Sequence, residues 1–237
     1  MRRIVTLAIV LAVCASLSAC GSSSPSAVPS SSKSVLASVV AAALAQKSVH
    51  WTSSGYGENE GIWTWTADVG TNSGTERGVQ SRRGTVQIRL VQNTVYVRGS
   101  FWQLMRTAGL SEPEARYYAR RWITIPRGDS EYGRVADGLT LGSIVRDVTC
   151  DTWRGTKLRM VRKKSHGTRF LFFRRTLPKS DGQECRLTAR ASRTPLPVSS
   201  VFSGLGHGSS LHFSKWNEPV HVTAPASSTP IATVRRG

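Results

Sequence analysis

Cys20 is the side chain best placed for chemistry in this sequence. It follows Leu17, Ser18 and Ala19 at the end of an apolar run that starts just after Arg2 and Arg3. A basic start, an apolar core of roughly 15 residues and small residues before the break are the marks of an export signal; such a run is short for a transmembrane helix. Cys14 lies inside the apolar core and leaves with the signal. Cys150 and Cys185 then face an oxidising exterior, where one disulfide between them is the expected outcome; their separation does not suit a zinc motif. The five histidines, His50, His166, His207, His212 and His221, are scattered and share no ligand spacing. Ser199 and Ser200 lack a Gly-x-Ser-x-Gly elbow, Ser209 sits in a Gly/Ser-rich stretch, and Asp and Glu total 14. No nucleophile, base and orienting group stand together, so the reading is of a non-enzyme with no catalytic residues, no metal and no cofactor.

The stretch Leu17-Ser18-Ala19-Cys20-Gly21 resembles the lipobox of bacterial lipoproteins. The resemblance implies that Cys20 receives diacylglycerol and becomes the first residue of the mature chain. Residues 1–19 are then a signal peptide, and the protein is lipid-anchored on the extracytoplasmic side of the cell membrane. More than one acyl chain holds firmly where a single chain does not. Residues 20–33 are Gly-, Ser-, Ala- and Pro-rich and read as a flexible tether.

The formal charge is +18. The bases are spread as Arg82-Arg83, Arg120-Arg121, Arg162-Lys163-Lys164, Arg174-Arg175 and Arg235-Arg236. Such a chain attracts anionic surfaces. An exported, tethered chain without a nucleic-acid module gives no reason to expect nucleic acid. Arg120, Arg121, Arg162, Lys163 and Lys164 are the candidates for contact with anionic headgroups or surfaces, because the guanidinium fork suits oxyanions; a plain solvated face is the alternative.

The elements that must position these residues read as α+β. Val35, Leu36, Val39, Val40, Ala43 and Leu44 recur at helical spacing over 35–47, with Ser34 or Ser32 as the cap. The period then changes to two through Val49-His50-Trp51-Thr52 and 61–69. Residues 68–81 read as a Gly/Ser-rich hairpin end. Val86, Ile88 and Leu90 alternate with Gln87 and Arg89, Gln92-Asn93 makes a turn, and Val95 and Val97 return. Helices are expected over 100–148, one with Ser111 and Glu114 as a capping box running to Trp122, and others broken near Gly138 and Gly142. Strands are expected at 156–163, 169–175, 184–190 and 211–214, with Val220-His221-Val222 closing the sheet and a loose tail over 226–237.

Taken together, this order resembles the LppX/LprG type of actinobacterial envelope lipoprotein, and more distantly the lipoprotein carriers LolA and LolB. The likeness rests on the helix after the tether, Val49-His50-Trp51, Gly84-Thr85-Val86-Gln87-Ile88-Arg89-Leu90-Val91 with Thr94-Val95-Tyr96-Val97-Arg98-Gly99, Arg121-Trp122-Ile123-Thr124-Ile125-Pro126, and residues 215–225 from Lys215-Trp216 to Ala224-Pro225. It implies an open antiparallel half-barrel over 34–225, with helices packed on its concave face around an apolar cavity for acyl chains. Trp51, Trp63, Trp65, Phe101, Leu104, Met105, Phe170 and Phe172 are the candidate cavity residues; the run 170–173 alternatively plugs that space. The function implied is binding or transfer of a lipid or amphiphile in the envelope. The alternative is a binding or structural module that engages anionic envelope material or a partner protein through its basic surface.

Overall fold

The computed structural model describes residues 31–58, 61–148, 157–176, 183–204 and 206–236. Strands β1 (Ser48–Gly57), β2 (Gly61–Gly70), β3 (Gly74–Gln80), β4 (Gly84–Val91), β5 (Thr94–Gly99) and β6 (Ile123–Pro126) form one antiparallel meander. Strands β7 (Leu158–Ser165), β8 (Thr168–Thr176), β9 (Glu184–Arg190), β10 (Pro197–Gly204) and β11 (His207–Ser214) form a second. Pairing of β11 with β1 fuses the two meanders, and β12 (Thr229–Pro230) adds to β6 in parallel. The resulting 12-stranded sheet runs from β12 to β7 and is open, not closed into a barrel.

Helices α1 (Ser32–Leu44), α2 (Phe101–Ala108), α3 (Glu112–Tyr117), α4 (Tyr132–Ala136), α5 (Leu141–Val148) and α6 (Ile231–Val234) pack against the sheet. Period two decides which side chains meet them. Register carries one row across seven strands: Phe213, Trp51, Ala67, Glu76, Ile88, Val97 and Ile123, all buried. Val35, Leu36, Val39 and Ala43 of α1 join Ile144 and Val145 of α5 over β1, β2, β8 and β9. Leu104 and Ala108 of α2, Ala115 of α3 and Val135 of α4 cover β4, β5 and β6. Trp65 packs against both groups.

Several expectations are met at the level of single residues. Gln92 and Asn93 take φ of 47° and 64°, the left-handed pair a tight hairpin needs, and His166-Gly167 does the same between β7 and β8. Ser111 and Glu114 form the capping box. Others are corrected. The cap of α1 is Ser31, whose hydroxyl accepts from the Ser34 N–H. Helix α3 ends at Tyr117, because Arg120 turns left-handed (φ 65°) and donates its N–H to Gly99 O at 2.8 Å. The helical break falls at Gly138 (φ 79°), and Gly142 lies inside α5.

Residues 74–80 are a full strand, β3, where a hairpin end was expected. Its glycines are required by close approach: a Cβ at Gly78 would lie 2.4 Å from the Trp65 ring, and one at Gly74 would lie 2.3 Å from Leu139 O. Strand β10 carries serines that conceal its alternation. Val220-His221-Val222 is not a strand. The chain from Asn217 to Thr223 is held instead by Asn217 N–H to Ser48 O, Ser48 Oγ to Glu218 O and Arg89 Nη1 to Thr223 O. The chain beyond Ala226 is packed rather than loose: Thr229 N–H bonds Trp122 O, Ile231 and Val234 are buried in the core, and Arg235 pairs with Asp129 at 3.1 Å.

Candidate functional site

The helix-covered face grades from sealed to half-open. Val49, Trp51, Ala67 and Val69 are fully packed, whereas Ser53, Trp63 and Trp65 further along β1 and β2 keep partial exposure, as do Met160, Phe202 and Leu211 of the second meander. The two half-exposed indoles lie flat because glycines sit beneath them. A Cβ at Gly55 would be 2.2 Å from the Trp63 ring, and Gly78 stands in the same relation to Trp65. The face therefore offers an apolar, partly uncovered band.

An open cleft of about 380 Å³ lies where α1 meets the β7–β8 hairpin and the chain leaving β9. Register sets Arg162 of β7 opposite Leu171 of β8. Buried Val35 and Leu171 line it, together with Ala191 and Pro195, and exposed Arg162, Arg169 and Arg193 line it too. No acid lines it, and these three guanidiniums have no ion pair among the described residues. Charge without a counter-ion, beside apolar surface, suits a molecule with an anionic head and an apolar body. The cleft adjoins Val35, in the first turn of α1, so it stands close to the start of the described chain.

The sequence-predicted residues divide. Trp51 is core, 5% exposed, with its indole Nε1 buried and without a hydrogen-bond partner among the described residues. Leu104 of α2 is fully buried, with Phe101 and Met105 of the same helix packed around the same core; all three belong to the β4–β6 side, away from the cleft. Phe170 and Phe172 are corrected: they lie on the opposite face of the sheet, with Lys163 Nζ 5.8 Å from the Phe172 ring. The inward residues are Leu171 and Phe173, paired with Ala189 and Leu187. Four consecutive apolar residues do not reveal which pair faces in. Of the five candidate cations only Arg162 lies in the cleft. Lys163 and Lys164 are exposed along β7, Arg121 covers the Tyr117 ring at 4.8 Å, and Arg120 joins a different cleft on the other face. Arg169 and Arg193 were missed; the pattern Arg169-x-Leu171 within β8 was the available signal.

Cys20 and Cys150 lie outside the described residues. Cys185 is buried in β9. Among the described residues no group of three His, Cys, Asp or Glu side chains could hold a metal ion, and no helix is long and apolar enough to cross a membrane. One buried carboxyl is out of keeping with its layer. Burial, and then the neighbouring Asp137 charge, push the Glu76 carboxyl up to about 8.

No family model matches this chain, and no curated protein does. Solved structures give remote likenesses. Lipoprotein LppX of Mycobacterium tuberculosis is 16% identical, with 81% of this chain and 100% of that one covered at a TM-score of 0.48. LprF of Mycobacterium bovis is 14% identical, covering 82% and 97% at 0.45. MucB is 16% identical, covering 81% of this chain and 62% of its own at 0.44. Identities and scores this low establish neither family membership nor function.

Proposed function

We propose that this chain is an envelope lipoprotein, anchored through acylated Cys20 on the extracytoplasmic side of the membrane, that binds or transfers an amphiphile with an anionic head. The observation that carries the reading is the cleft in which Arg162, Arg169 and Arg193, without an ion pair among the described residues, stand beside Val35 and Leu171. An oxyanion in it satisfies the guanidiniums, and an apolar tail lies against Val35, Leu171, Ala191 and Pro195 in the same cleft. Each methylene so buried contributes roughly 0.8 kcal/mol. Apolar contacts discriminate tails coarsely, so the head sets the preference. A Cys150–Cys185 disulfide is part of this proposal, as is suited to an exported chain.

The test is titration of the full chain, in detergent, with a fluorescent phosphatidylglycerol and its phosphatidylcholine counterpart. Saturable binding that favours the anionic lipid is expected, and Arg162→Gln with Arg169→Gln should weaken it by about tenfold, the loss of about 1.4 kcal/mol. Absence of saturable binding to either lipid, or an unchanged preference in the double variant, overturns the reading.

A further inference from the structure

The outer face of the sheet carries a separate array of donors. Register places one side chain from each of six adjacent strands in a single row: His212, Thr52, Thr66, Arg77, Gln87 and Arg98. At a strand spacing of about 4.8 Å the row is about 24 Å long. Each of these side chains can donate a hydrogen bond and none is an acid. Two open clefts lie along the row, one of about 420 Å³ at His212, Thr52 and Thr66 and one of about 400 Å³ at Gln87 and Arg98, and Arg77 lines both.

A third guanidinium is brought in by backbone geometry. The left-handed turn at Arg120, pinned by its N–H on Gly99 O, sets this residue into the wall of the second cleft. Arg98 is aligned by its Nε donating to the neutral Gln87 Oε1 at 2.9 Å. Its guanidinium also lies 4.9 Å from the Trp122 ring, as does that of Arg89. Arg77, Arg98 and Arg120 have no ion pair among the described residues. Like charges gathered around one cleft repel, and a bound anion offsets that repulsion.

We infer that this row is a track for a linear polyanion: oxyanion groups seat among Arg77, Arg98 and Arg120, and the chain's hydroxyl-bearing stretches run over Thr66, Thr52 and His212. The ligand class is a hydroxylated polymer carrying phosphate or carboxylate groups, such as an acidic envelope glycan. A lone small anion needs only the arginine end. The length and the hydroxyl-rich half of the row favour a polymer. The site lies on the opposite face from the amphiphile cleft, shares no residue with it, and does not depend on that reading.

The experiment titrates the full chain, in detergent, with sodium polyphosphate and with neutral dextran, following binding by isothermal calorimetry. Polyphosphate is expected to bind saturably and dextran not to bind at tenfold higher concentration. Arg77→Gln with Arg98→Gln should weaken polyphosphate at least tenfold, while Arg159→Gln with Lys163→Gln, the same charge loss on β7, changes it less than twofold. Equal losses in the two double variants mean unspecific attraction and overturn the track. So does an equal loss of binding to phosphatidylglycerol vesicles, which would make the surface a membrane contact. If the first double variant fails to fold, Arg120→Gln alone, on a loop, is expected to weaken polyphosphate at least threefold; no change refutes the inference.

Discussion

Glu76 sits between Ala67 and Ile88 in the row that the helices cover. Its carboxyl holds a proton up to about pH 8 because ionising it there means charging a buried group, with Asp137 adding repulsion. The unfolded chain releases that proton near 4.5, the ordinary value for a glutamate. Between these limits the folded state binds one more proton than the unfolded state, so stability falls as pH rises, by about 1.4 kcal/mol per unit from this group. Thermal unfolding from pH 5 to pH 8 should show that decline, and Glu76→Gln should flatten it. Gly78 offers a steric counterpart. Trp65 packs against both core groups and cannot swing away from a new methyl, so Gly78→Ala should lower stability by ~1–3 kcal/mol and shift tryptophan emission. Neither residue was legible in the sequence, because Gly-Thr-Glu-Arg-Gly-Val-Gln reads as a turn until the tryptophan above Gly78 is known.

At the scale of elements, the four-residue helix α6 closes the β12–β6 edge by burying Ile231 and Val234. Ile231→Ala should cost about 2–5 kcal/mol in chemical denaturation, which a loose tail would not. Four residues cannot display a helical period, so nothing in the sequence announced this element. The β4–β5 hairpin was legible for the opposite reason: Val86, Ile88 and Leu90 alternate strictly and Gln92-Asn93 suits the turn. The candidate site was legible only in part. Arg162 stood out in a basic run, but its companions come from β8 and from the chain beyond β9, and only the pairing of β7 with β8 and β8 with β9 gathers them.

The whole molecule presents two faces with different chemistry, one roofed by helices around an apolar layer and one rich in donors, crossed near Arg89 by the segment that carries Thr223. Where the chain resides rests on its N-terminus: Cys20→Ser should release the protein from the membrane fraction, and continued tight association would remove the anchor from the proposal. Joining of the sheet across β1 and β11 has a different consequence. His50 pairs with Ser214, so the seam between the meanders stays unmade until β11 has been synthesised, more than 150 residues after β1. Such distant contacts form slowly, and an early fragment presents β1 as a raw border ready to accept a foreign strand. Loss of the last thirty residues would leave that border bare for the lifetime of the molecule, marking the fragment for aggregation or proteolysis rather than for partial activity.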